Sequence, residues 1–95
     1  MANYRIFETD EFLKTIEKIP EQDKTFIKKK LHRHVYPLLR EEPHFGNNIR
    51  KLVDYKPETW RYRIGRYRLF YAMDENERII YVLSIDLRKE AYRGI

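Results

Sequence analysis

Four arginines fall within eight residues, Arg61, Arg63, Arg66 and Arg68, with no acidic residue among them and with Trp60, Tyr62, Tyr67 and Tyr71 interleaved or adjacent. A guanidinium fork matches a phosphate through two parallel hydrogen bonds and stays charged at every physiological pH. Aromatic rings beside such forks suit single-stranded RNA, whose unstacked bases lie on Tyr or Phe. Side chains on a strand alternate with period two, so Arg61 and Arg63 share one face while Trp60, Tyr62 and Ile64 share the other. By the same rule Arg66, Arg68 and Phe70 oppose Tyr67, Leu69 and Tyr71. Two adjacent strands would then gather Arg61, Arg63 and Arg68 on an exposed sheet face. A solvated face whose arginines only keep an edge soluble is the alternative, and the uncompensated positive charge favours an anion site.

Other chemistry is sparse. The chain has no cysteine, which excludes a disulfide scaffold, a thiol nucleophile and a cysteine zinc site. His32 and His34 lie two apart on a predicted helix and cannot face one site together, and His44 sits in a loop beside Pro43. No metal site and no cofactor are expected. A second basic set, Lys28, Lys29 and Arg33 with Lys30 and His32, would attract RNA phosphates if it is more than a solvated helix face. The C-terminal run from Asp86 to Arg93 offers Arg88 and Tyr92. Packing of Tyr92 against the terminus and pairing of Arg88 with Asp86 or Glu90 is the plainer account of that tail.

These residues must be positioned by 95 residues, a length that fits a single domain over 1–95. Twenty Lys and Arg against fifteen Asp and Glu give a net charge of +5, yet eight Tyr, five Phe and one Trp provide bulk to bury. A domain this small buries only roughly 60% of its unfolded surface, so a covering partner is expected. No run of about 18 apolar residues and no leader-like apolar stretch occurs, which predicts a soluble cytoplasmic protein without a membrane partner. Tyr4–Phe7 predicts an opening strand, and Thr9 or Asp10 would cap a helix carrying Phe12, Leu13, Ile16 and Ile19 up to Pro20. A second helix from Glu21 or Gln22 would bury Phe26, Ile27, Leu31, Val35 and Leu38, with Pro37 kinking or ending it. Strands are expected at Ile49–Val53, Thr59–Ile64, Tyr67–Met73 and Ile79–Ile85. The fold class is therefore α+β, an N-terminal strand and a helical hairpin packed on one face of an antiparallel sheet.

The string Trp60-Arg61-Tyr62-Arg63-Ile64-Gly65-Arg66-Tyr67-Arg68-Leu69-Phe70-Tyr71, preceded by Leu52 and followed by Arg88 and Ala91-Tyr92, resembles the RelE/ParE superfamily of small type II toxins over essentially the whole chain. The resemblance implies the RelE-like microbial RNase fold, a co-encoded antitoxin, and, for RelE-type members, metal-independent cutting of mRNA in the ribosomal A site. By position the catalytic set would be Arg61, Arg63, Arg68, Arg88 and Tyr92, with Lys28, Lys29, Arg33 and Arg66 as further RNA contacts. Tyr92 would take a proton or stack on a base. RelE-type relatives carry lysines where Arg61 and Arg63 stand, and arginine is a poor acid or base at neutral pH. Relatives that bind DNA gyrase share the fold but usually lack the full set, and a catalytically decayed RNA-binding homologue is a third reading.

Overall fold

The structure, a computed structural model, describes residues 3–87. In chain order the elements are β1 (Arg5–Glu8), α1 (Asp10–Glu17), α2 (Glu21–Lys30), a π-helical turn (Leu31–Val35), α3 (Tyr36–Glu41), β2 (Ile49–Lys51), β3 (Trp60–Ile64), β4 (Tyr67–Asp74) and β5 (Ile79–Leu87). The strands form one sheet in the order β1-β5-β4-β3-β2. β2 to β5 make the expected antiparallel meander, whereas β1 joins the edge parallel to β5, so the sheet is mixed. A parallel pair cannot be closed by a tight turn, and here the helices and three further strands separate β1 from β5 along the chain.

Thr9 begins that crossover. Its hydroxyl oxygen accepts from the Phe12 amide at 3.2 Å, capping α1, and donates to the Val82 carbonyl at 2.7 Å. Six residues later the Thr15 hydroxyl accepts from the Ile85 amide at 3.1 Å, so α1 is fastened to β5 at two points. Lys24 closes the short α1–α2 corner, with Nζ 3.0 Å from Glu17 and 3.6 Å from Glu21.

From Glu21 to Glu41 the backbone remains helical, and Pro37 does not end it. The Tyr36 amide donates to the Leu31 carbonyl five residues back, which widens the turn just before the proline. A proline crowds the carbonyl four residues earlier. Here that is Arg33, inside the widened turn. The wide turn also resets the buried stripe. Ile27, Leu31, Val35 and Leu39, spaced by four, are all essentially inaccessible. Phe26 and Leu38, expected inside, are 60% and 42% exposed, and Leu13 of α1 is 46% exposed. A spacing of four drifts off the face of an ordinary α-helix but stays on it through a π turn.

These helical residues pack with Tyr62, Ile64, Tyr67, Leu69, Tyr71, Ile80, Val82 and Ile85 into one core on a single face of the sheet. Among the described residues no helix packs on the opposite face. Between β3 and β4 the chain reverses through Gly65 and Arg66, and Gly65 has φ +57°. A positive φ at the first of two turn residues belongs to the type II′ hairpin, which glycine alone adopts at little cost. An added Cβ there would meet no atom within 4 Å, so only backbone conformation opposes substitution. Gly65→Ala should therefore lower unfolding free energy by about 1–2 kcal/mol in urea titration. An unchanged midpoint would show that the turn does not require the left-handed conformation.

Candidate nucleic-acid interface

Strand register decides which charges meet. In the β3–β4 ladder Arg63 lies directly opposite Arg68 and Arg61 opposite Phe70, while in the β2–β3 ladder Arg61 lies opposite Arg50. Directly opposed residues share a face, so Arg50, Arg61, Arg63 and Arg68 all stand on the side without helices. Two of the contacts, Arg50 with Arg61 and Arg63 with Arg68, are like-charge rungs, which oppose pairing of the strands. Phe70, Ser84 and Tyr81 continue the same face towards β1, where the Phe7 and Tyr81 rings meet edge-on with centroids 5.8 Å apart. The face is thus basic at one end and aromatic at the other, and it joins charge that folding alone does not favour to rings on which bases can stack.

The arginines differ in exposure. Arg63 is exposed, but Arg61 is only 9% accessible and Arg68 only 2%, contrary to the expectation of an exposed triplet. Asp86 on β5 is the carboxylate that register sets beside Arg68. Arg61 spans to the loop before β2, and its Nη1 donates to the Asn48 carbonyl at 2.9 Å. That bond, with the Arg63 amide donating to the same carbonyl, holds the Arg61 fork against the sheet. Arg66 leaves the group. The turn ends the alternation, and Arg66 crosses to the helical side, where its Nη2 lies 3.2 Å from Asp23, a carboxylate that also accepts from the Tyr67 hydroxyl at 2.7 Å. Lys28, Lys29 and Arg33 are exposed on the helical layer, on the other side of the sheet from the arginine rungs. Arg88 and Tyr92 lie outside the described residues. Arg50 was missed in the sequence because it stands in a strand of three residues, Ile49–Lys51, too short to show a period and apart from the arginine-rich run.

Residues 6–92 match the family model described as the ParE toxin of the type II toxin–antitoxin system, parDE. The chain is a type II toxin of the RelE/ParE superfamily. Its fold is that of solved RelE toxins. It superposes on the toxin–antitoxin complex RelBE2 of Mycobacterium tuberculosis with a TM-score of 0.70 and 22% identity, covering 93% of this chain and 94% of that one. For the archaeal RelE–RelB complex of Pyrococcus horikoshii the values are 0.66 and 20%, over 90% and 96%. A mutant of E. coli toxin RelE in the free state gives 0.65 and 26%, over 97% and 88%. By sequence no curated protein matches the chain.

Tyr36 and Tyr71 lie in the core on the helical side of the sheet, away from the arginine face. Tyr36 is pushed far up by burial and by its 2.6 Å hydrogen bond to Glu8, and Tyr71 is pushed up by burial and bonds to the Pro43 carbonyl at 2.7 Å. Neither ionises near neutral pH. Among the described residues no three side chains are placed to hold a metal ion, and no helix is long and apolar enough to cross a membrane. His44 belongs to a separate network at the β4–β5 turn. Its ring nitrogens lie 3.1 Å from Glu42 and 2.8 Å from Glu75, and Glu75 accepts from the Tyr4 hydroxyl at 2.7 Å. Burial pulls the imidazole down, but the hydrogen bonds to Glu75 and Glu42 outweigh it and raise its pKa above the ordinary 6.5. The Tyr4 hydroxyl and then His44 hold Glu75 below its ordinary 4.5.

A raised histidine stabilises fully below its unfolded pKa and loses that contribution as pH climbs through the folded value, while a depressed carboxyl does the reverse on the acid side. The network should therefore stabilise most between about pH 4.5 and 6.5, the two ordinary values. In denaturant titrations the toxin should lose midpoint between pH 6 and 8.5 relative to His44→Gln. Parallel curves for the two proteins would show that the imidazolium is not what fastens the loop.

Proposed function

We propose that the toxin is a RelE-type endoribonuclease that cuts mRNA in the ribosomal A site. The observation that supports this reading is the pair of like-charge arginine rungs beside Phe70 on the open face. The substrate class that suits it is single-stranded RNA, whose phosphate offsets the repulsion between the forks. In the reaction the ribose 2′-oxygen forms a bond to the adjacent phosphorus, the bond from phosphorus to the next 5′-oxygen breaks, and a proton moves from the attacking to the leaving oxygen. A cyclic 2′,3′-phosphate and a free 5′-hydroxyl result, and neither metal nor cofactor enters. Arg61, Arg63, Arg68 and Arg88 stabilise charge on the non-bridging oxygens, and Tyr92 either receives the 2′-proton or stacks on a base. Arginine retains its proton, so the first four act through charge.

A cognate antitoxin completes the system in the cytoplasm. An acidic, extended segment that orders on binding would neutralise the rungs and compete with RNA, a mode in keeping with the RelE–RelB complexes among the structural relatives. The second reading is inhibition of DNA gyrase, favoured by the ParE description of the matching family model.

Exposed Arg63 gives a cleaner test than buried Arg68, whose truncation would also leave a cavity. Without antitoxin, brief induction should halt translation and produce cuts in ribosome-bound message mapped by primer extension. Arg63→Gln should slow single-turnover cleavage by about 10²–10³-fold without lowering its melting temperature. DNA-damage signalling without mRNA cuts would replace the nuclease reading with the gyrase reading.

A further inference from the structure

Arg63 has a second environment besides the arginine face. It lines a cleft of about 470 Å³ at the sheet edge, together with Lys30 and His34 of the helical layer, Asn48, Tyr62, Ile64 and Gly65. Lys30 ends α2 and His34 lies in the π-helical turn, four residues on, so the two share one side of the helix. Among the described residues no carboxylate lines the cleft. Several cations elsewhere in the chain are neutralised. Lys24 pairs with Glu17, Lys51 with Glu58, Arg66 with Asp23 and Arg78 with Glu75. Among the described residues, Lys30, His34 and Arg63 have no acidic partner.

The floor is also open to a close approach. Gly65 presents backbone without a side chain, and a Cβ there would meet nothing within 4 Å. Asn48 links the two regions, because its carbonyl takes both the Arg61 guanidinium and the Arg63 amide while the residue itself lines the cleft. An ammonium, an imidazole and a guanidinium facing one space, without a neutralising acid, are a receptor for phosphoryl oxygens. The volume greatly exceeds a free phosphate, and the cleft is continuous through Arg63 with a face suited to stacked bases.

We infer that this cleft is a second phosphodiester site, which receives the RNA backbone at a phosphate outside the one held on the arginine face. The inference rests on the reading of the toxin as an RNA-directed protein, but it concerns binding and not cleavage. It gives the π turn a purpose: the widened helix carries His34 to the cleft while Leu31 and Val35 stay in the core. It also places Lys30 and His34 among the specificity-determining contacts, since a strand must run from the rungs around the β3 edge to reach them.

The test uses purified toxin and a ten-nucleotide 2′-O-methyl RNA, which cannot be cut because its 2′-oxygen is blocked. In low salt, titration followed by NMR should shift the His34 imidazole and Gly65 amide resonances along with Phe70. Lys30→Gln should weaken binding roughly tenfold. It should also reduce the slope of log affinity against log salt by about 0.7, the share of one phosphate on a single strand. His34→Gln should reduce affinity in the same direction. Shifts confined to the arginine face, or unaltered affinity and slope in Lys30→Gln, would overturn the cleft and leave the nuclease reading intact. Equal shifts with inorganic phosphate at the same concentration, and none with RNA, would assign the cleft to a small anion and overturn the inference. Cleft shifts with RNA in a toxin that never cuts ribosome-bound message would uphold the cleft and remove the nuclease reading.

Discussion

The function proposed for this toxin rests on a register that sets arginine against arginine. β2, β3 and β4 pair so that Arg50 meets Arg61 and Arg63 meets Arg68, each directly across a ladder. Such rungs cost the sheet roughly 0.2–1 kcal/mol apiece relative to neutral pairs, and they persist because the other face binds the same strands to a large apolar core. Tyr62, Ile64, Tyr67, Leu69 and Tyr71, which alternate with the arginines, are all buried under the helices. One periodicity therefore does two jobs. It fastens three strands from one side and concentrates like charge on the other.

The helical layer is shaped by the same division. α1 is fastened to β5 through Thr9 and Thr15, which fixes the layer on one face of the sheet. The long helical segment must then cover the sheet with residues at intervals of four. The π-helical turn between Leu31 and Val35 provides that interval and coincides with Pro37, so one local distortion accommodates both the packing and the proline. Its outward residues, His32, Arg33 and His34, add basic and aromatic groups to the rim.

Much of this was legible from period and residue type. The alternation through Trp60–Tyr71 located the arginine face, and Gly65 located its turn, because strand side chains have no freedom to depart from period two. Four features were not legible, each for a physical reason. The parallel β1–β5 pairing is a non-local contact between residues more than 70 positions apart, and no local pattern encodes it. Phe26 and Leu38 read as core because a period of 3.6 was assumed across a segment that widens. The burial of Arg68 depends on what lies over β4 and opposite it on β5, which a single strand's pattern does not contain. Arg66 joined the wrong face on paper because the alternation stops at a turn, and its carboxylate partner Asp23 lies 43 residues earlier.

The central claim is that the rungs are retained against folding because an anion needs them. Its most direct measure is the unfolding free energy of wild type and Arg63→Thr across sodium chloride concentration. The account predicts that the variant is the more stable protein in low salt and that the difference shrinks as salt screens the repulsion between Arg63 and Arg68. A variant that is less stable in low salt, by a margin that salt leaves unchanged, would show that the opposed arginines support the sheet and would contradict the account.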